Sequence, residues 1–153
     1  MDQLFQDLLQ RFETIHKAIE TDVADLPPEA LDWKPGPDMN SIAVILVHTA
    51  GSWRYWAGDV AGGLPSGRVR AEEFETFNVS AAEMLGRLNA ALDTTRQVLG
   101  QLDLSHLAEM RTAGMFNEER TVGWALLHAL EHTALHAGHI QMTRQLWDQR
   151  SQS

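Results

Sequence analysis

Residues 126–146, LLHALEHTALHAGHIQMTRQL, carry four of the chain's seven histidines: His128, His132, His136 and His139. With about 100° of turn per helical residue and His128 set at zero, His139 falls near ~20°, His132 near ~40° and His136 near ~80°. All four share one face of a helix. Trp124, Leu135, Met142 and Leu146 lie just beside that arc, so the histidine face is also read as the face that packs into the core. Imidazoles on such a stripe need partners, because a buried polar atom left unpaired costs about 1–3 kcal/mol. One metal ion satisfies two or three of them at once. Helical residues four apart sit about 5–6 Å apart at Cβ, close enough for both rings to reach one ion. His128 with His132 has the same spacing as His132 with His136, and geometry does not choose between the pairs. The competing reading, core histidines bonded to neighbouring helices, is weakened by the density of four in twelve residues.

A third nitrogen is available from a distant segment. His48 ends the apolar run SIAVILVH, and a bundle that brings its helix against the last one assembles three neutral nitrogens around one ion. A fourth position then stays open, which is the arrangement of a catalytic site. The alternative for His48 is a bond to a backbone carbonyl or a buried water. Ile45, His48, Ser52 and Tyr55 line one seam of this helix. Tyr55 is the candidate to hydrogen-bond a substrate or supply a proton, against the plainer role of a core tyrosine with its hydroxyl at the bundle end. Trp53 and Trp56 lie on other sides of the helix and read as packing.

Outward from these segments the chain reads as all-α. Phe5, Leu8, Phe12, Ile15 and Ile19 recur at helical spacing, giving a first helix from Asp2 to about Glu20. DLPPEALDWKPGPDMN, with four prolines, reads as an exposed connection. Asn40 or Ser41 caps a second helix that runs to about Asp59. VAGGLPSGRVRAEEFETFN is a long crossing loop with room for a short helical turn. Ser80 and Glu83 form an S-x-x-E capping box for a third helix, on which Met84, Leu88, Ala91, Thr95, Val98 and Leu102 make the apolar stripe. His106 to Arg120 reads as irregular and polar. Thr121 caps a last helix reaching about Asp148, and the tail RSQS is expected to be frayed. The sum is a four-helix bundle with two long connections, one domain over residues 1–150.

Composition removes several functions. The formal charge of -9 repels a phosphate backbone, so no nucleic-acid partner is expected. No run approaches a membrane span, and MDQLFQDLLQR lacks the basic start and apolar stretch of a signal peptide, so no membrane partner and a cytoplasmic location are expected. The chain has no cysteine. Disulfides, thiolate ligands and an internal thiol nucleophile are therefore excluded, and any metal must be held by histidine and oxygen, which suits zinc, nickel, iron or manganese. Thr133 rather than Glu follows His132, so the zincin pattern is absent. Of the two E-x-x-H pairs a di-iron bundle requires, only Glu13 with His16 is present.

The residues also resemble a known family. SIAVILVHTAGSWRYWAGD, the preceding DWKPGPDMN and the run GWALLHALEHTALHAGHIQMTRQL are similar to the corresponding parts of the DinB-like (DinB/YfiT-like) family of small bacterial four-helix metalloenzymes. The resemblance implies one divalent metal ion held by a histidine of the second helix and an H-x-x-x-H pair of the last, followed by glycine. Those positions fall on His48, His132, His136 and Gly138, leaving His128 and His139 as neighbours of the site. Zinc or nickel suits thiol chemistry best, and iron or manganese also fits the donors. The family further implies a small-molecule substrate and a low-molecular-weight thiol such as bacillithiol, mycothiol or glutathione, in an S-transferase acting on small electrophiles, and a homodimer. A metal-dependent hydrolase and a non-catalytic metal- or ligand-binding stress protein are the alternatives.

Overall fold

Phe5, Phe12, Ile19 and Val23 point inward from α1 (Gln3–Val23) and supply one wall of the core. The structure, a computed structural model, describes residues 1–150; of the tail RSQS expected to be frayed, Arg150 is instead the last residue of a helix, and 151–153 lie outside the described residues. The proline-rich connection is not wholly irregular. Pro28 opens a short α2 (Pro28–Asp32), where its missing N–H removes no intrahelical bond, and Ala30 and Leu31 bury there. Of the two expected caps for α3 (Ile42–Trp53), Ser41 is used: its Oγ accepts the Val44 N–H at 3.3 Å. α3 continues through a π-helical stretch, Arg54–Ala61, slightly past the expected end at Asp59.

The crossing loop holds its helical turn, α4 (Arg70–Glu73), and leads to α5 (Ala81–Gln101). Ser80 Oγ accepts the Glu83 N–H at 3.2 Å, but the Glu83 carboxylate takes the Arg87 guanidinium at 2.9 Å, so half of the expected capping box forms. Thr121 caps α6 (Val122–Arg150) as expected, its Oγ1 accepting the Trp124 N–H at 3.1 Å. α1 and α3 each pack against both α5 and α6, which places α1 and α3 on a diagonal of the bundle. Phe12 and Trp53 stack across that diagonal at 4.8 Å, and Trp53 Nε1 donates to Thr95 Oγ1 at 2.8 Å. Among the described residues no helix is long and apolar enough to cross a membrane.

Two expectations fail. The stretch from His106 to Arg120, read as irregular, contains an antiparallel hairpin of β1 (Met110–Ala113) and β2 (Glu118–Thr121), with Met110 opposite Thr121 and Ala113 opposite Glu118. Four-residue strands with charged side chains on both arms show no apolar alternation, and the left-handed position of the turn is filled by Asn117 (φ 51°) rather than glycine. The second failure concerns the packing face of α6. Trp124, Leu135, Met142 and Leu146 are exposed, Leu135 at 57% and Met142 at 61%. The buried stripe is Val122, Ala125, Leu126, Ala129, Thr133, Ile140 and Thr143, centred about 110° round from His128 on the other side of the histidine arc. Apolar residues flank the arc on both sides, so hydrophobicity alone is a poor guide. Residue size is a better one, since Ala125, Ala129 and Thr133 allow close approach of the neighbouring helices. The histidines therefore sit on the shoulder between core and solvent.

Candidate metal centre

His48, 8% exposed on α3, meets His132 and His136 from successive turns of α6. Ring centroids lie 5.0 Å apart for His48 and His132, 5.2 Å for His48 and His136, and 4.4 Å for His132 and His136. One nitrogen from each falls within 4.8 Å of the others. His48 Nε2 and His132 Nε2 are 3.3 Å apart. Two nitrogens bound tetrahedrally to zinc at about 2.0–2.1 Å are about 3.4 Å from each other, so this pair already has the spacing of two ligands.

The environment of each ring fits the same use. His48 Nδ1 lies 2.8 Å from Glu73 Oε2, which assigns the proton to Nδ1 and leaves the Nε2 lone pair facing His132. Glu73 is held in turn by Arg68, Nε to Oε1 at 2.6 Å and Nη2 to Oε2 at 2.9 Å, with the two side chains 4% and 7% exposed. Burial pushes the Glu73 carboxyl up, but the Arg68 and His48 bonds outweigh it and hold the group below the usual carboxylate range. Gly51 makes room for this carboxylate, since a Cβ there would run into Glu73 Oε1. His136 Nδ1 lies 3.1 Å from His139 Nδ1. His132 Nδ1 is buried with no hydrogen-bond partner, while its Nε2 is the nitrogen turned toward His48. The residues present fit a divalent cation.

Burial first, and then the neighbouring histidines, lower His132 to about 3 and His136 to about 4. Both are neutral near pH 7 and offer lone pairs. In the unfolded chain they titrate near the ordinary value of about 6.5, so on acidification the unfolded state takes up protons first. Metal-free protein is thus expected to keep this contribution to stability above about pH 7 and to lose it as pH falls from about 6.5 toward about 3. Thermal midpoints in chelator at pH 7.5 and pH 5 check this, and equal midpoints would contradict it.

His128 does not join the cluster. Its ring stacks on Trp124 at 4.7 Å and meets Trp56 edge-on at 4.9 Å, and burial lowers its pKa. His139 is exposed beside His136. Tyr55 is buried on the π-helical stretch, with Trp56 and Phe116 rings at 5.2 and 5.9 Å. Its hydroxyl accepts the Met115 N–H at 3.2 Å and so ties the hairpin tip to the bundle. Trp53 and Trp56 are packing residues, buried as expected. Phe74, half-exposed, borders His48 at 5.1 Å. Glu73 and Arg68 escape the sequence reading, because nothing in RVRAEEFE separates a buried glutamate from its solvated neighbours Glu72 and Glu75.

The comparisons with known proteins agree with this architecture. A family model described as the DinB superfamily matches residues 5–140. A conserved protein from Enterococcus faecalis has a similar crystal structure, with a TM-score of 0.74 at 17% identity over 95% of this chain and 98% of that one. A Streptococcus pneumoniae protein superposes with a TM-score of 0.66 at 16% identity, over 95% and 90% of the two chains. At these identities the two structures speak for the fold alone. No curated protein matches the sequence.

Proposed function

The chain belongs to the DinB superfamily, and we propose that it is a divalent-metal-dependent enzyme that transfers a low-molecular-weight thiol to a small electrophilic substrate. The observation that carries the proposal is the gathering of three imidazole nitrogens from α3 and α6 within 4.8 Å. His48, His132 and His136 would hold the ion, and zinc or nickel suits nitrogen donors and thiol chemistry best. When bound, a divalent ion supplies a Lewis acid that makes a thiol nucleophilic near neutral pH. The three ligands bring no charge of their own, so the cation's field is not neutralised by the protein. Glu73, fixed by Arg68, keeps His48 in the tautomer whose Nε2 faces the cluster. The Tyr55 hydroxyl, which accepts from Met115, retains its own proton for donation to a substrate. No cysteine exists in the chain, so the sulfur comes from a cosubstrate.

In the overall reaction the thiol loses its proton, a sulfur–carbon bond forms, and the leaving group departs with its electron pair. The test is conjugation of bacillithiol, mycothiol or glutathione to 1-chloro-2,4-dinitrobenzene and to an epoxide panel. Turnover by metal-loaded protein that disappears in His132→Ala supports the assignment, and no turnover with any pairing rejects it. We further place the protein in the cytoplasm, where such thiols are reduced. The exposed apolar seam of Leu135, Met142 and Leu146 on α6 supports a homodimer, visible as twice the chain mass in light scattering.

A further inference from the structure

The Arg68–Glu73 pair has a second side. It also walls a cleft of about 430 Å³ between α3, the segment 65–69 and α5, lined without His48. That volume lies within the roughly 300–1,000 Å³ range of small-molecule sites. Val47 and Ala50 on α3, with Ala90 on α5, give it apolar surface, and three arginines from separate elements, Arg54, Arg68 and Arg87, line it. Arg68 commits Nε and Nη2 to Glu73 and leaves Nη1 without a hydrogen-bond partner among the described residues. Arg54 uses Nη1 alone, on Asp59 Oδ1 and the Leu64 carbonyl, each at 2.9 Å. Arg87 uses Nη2 alone, on Glu83. Of the two carboxylates in the lining, Glu73 is already matched by Arg68, and Glu72 sits exposed at the rim.

We propose that this cleft is a second small-molecule site, separate from the histidine cluster, for a small amphipathic carboxylate. The apolar part rests on Val47, Ala50 and Ala90, and the carboxylate accepts from the free N–H groups of Arg68 and Arg87, a charge-assisted arrangement stronger than a neutral one. The site shares the Arg68–Glu73 pair with the metal centre and does not depend on a metal being bound. Its occupant meets His48 only through that pair.

Benzoate is the probe, with benzamide as its uncharged counterpart, titrated calorimetrically into the full chain. Benzoate should bind saturably and benzamide about tenfold more weakly. Arg87→Ala should weaken benzoate about tenfold, and Ala90→Phe, which fills the cleft from an exposed position on α5, should abolish binding. Circular dichroism confirms that both variants fold. Benzoate can also ligate a metal, so the same titration is run on His132→Ala, where binding should persist. Absence of saturable binding to the native chain would overturn the proposal. So would binding that disappears in His132→Ala but survives both cleft substitutions.

Discussion

Replacing His132 with Ala is expected to remove stoichiometric divalent metal from the protein while leaving it folded. His132 is the ring common to the closest pairings of the cluster, 4.4 Å from His136 and with Nε2 3.3 Å from His48 Nε2. Without it the remaining nitrogens come from two helices with nothing between them, and the loss should exceed the roughly 10–100-fold typical of removing an outer hydrogen-bond partner. The buried stripe of α6 does not include His132, so the bundle keeps its core. The substitution also removes the unpartnered Nδ1. Elemental analysis of protein purified without a metal-affinity tag reads the outcome. His128→Ala is the matched control and should keep its metal, because His128 stacks on Trp124 rather than joining the cluster. Equal metal content in native protein and a folded His132→Ala variant would reject the centre.

Glu73 should give the second largest effect, and in two distinguishable ways. Glu73→Gln preserves shape but replaces the anion that accepts from His48 and Arg68, so metal affinity should fall about 10–100-fold with little change in fold. Competition against a chromophoric chelator measures it. Glu73→Ala leaves the Arg68 guanidinium buried and unpaired, which should cost about 3–5 kcal/mol of stability, seen as a lower denaturation midpoint without metal. Gln behaving like the native residue in chelator competition would mean that Glu73 serves only to bury Arg68. A purely structural role predicts the second result without the first.

The long helices were legible because each writes its period locally. α1 follows Phe5, Phe12 and Ile19, and the caps Ser41, Ser80 and Thr121 each act within three residues. The family resemblance, carried by the run around His48 and the H-x-x-x-H pair, holds with the superfamily assignment. The hairpin was hidden because strands this short depend on contacts such as Tyr55 to Met115, sixty residues apart. The buried face of α6 is ambiguous in the sequence for a related reason. With apolar residues on both sides of the histidine arc, only the presence of α1 and α3 along one side decides which is covered.

By itself, the sequence determined a mostly helical chain, a histidine pair four apart on one helix face, a third histidine on another helix, and the absence of any thiol. These are properties of composition and of a 3.6-residue period, which need no distant contact. Tertiary structure alone decided that His48 comes within 3.3 Å of His132. It also decided that His128 turns to the aromatic residues, and that Glu73 of α4 is buried between Arg68 and His48 while its neighbours Glu72 and Glu75 stay exposed. Each of these depends on where two remote backbones pass one another, and burial, which sets tautomer, charge and ligand readiness, exists only after they have met.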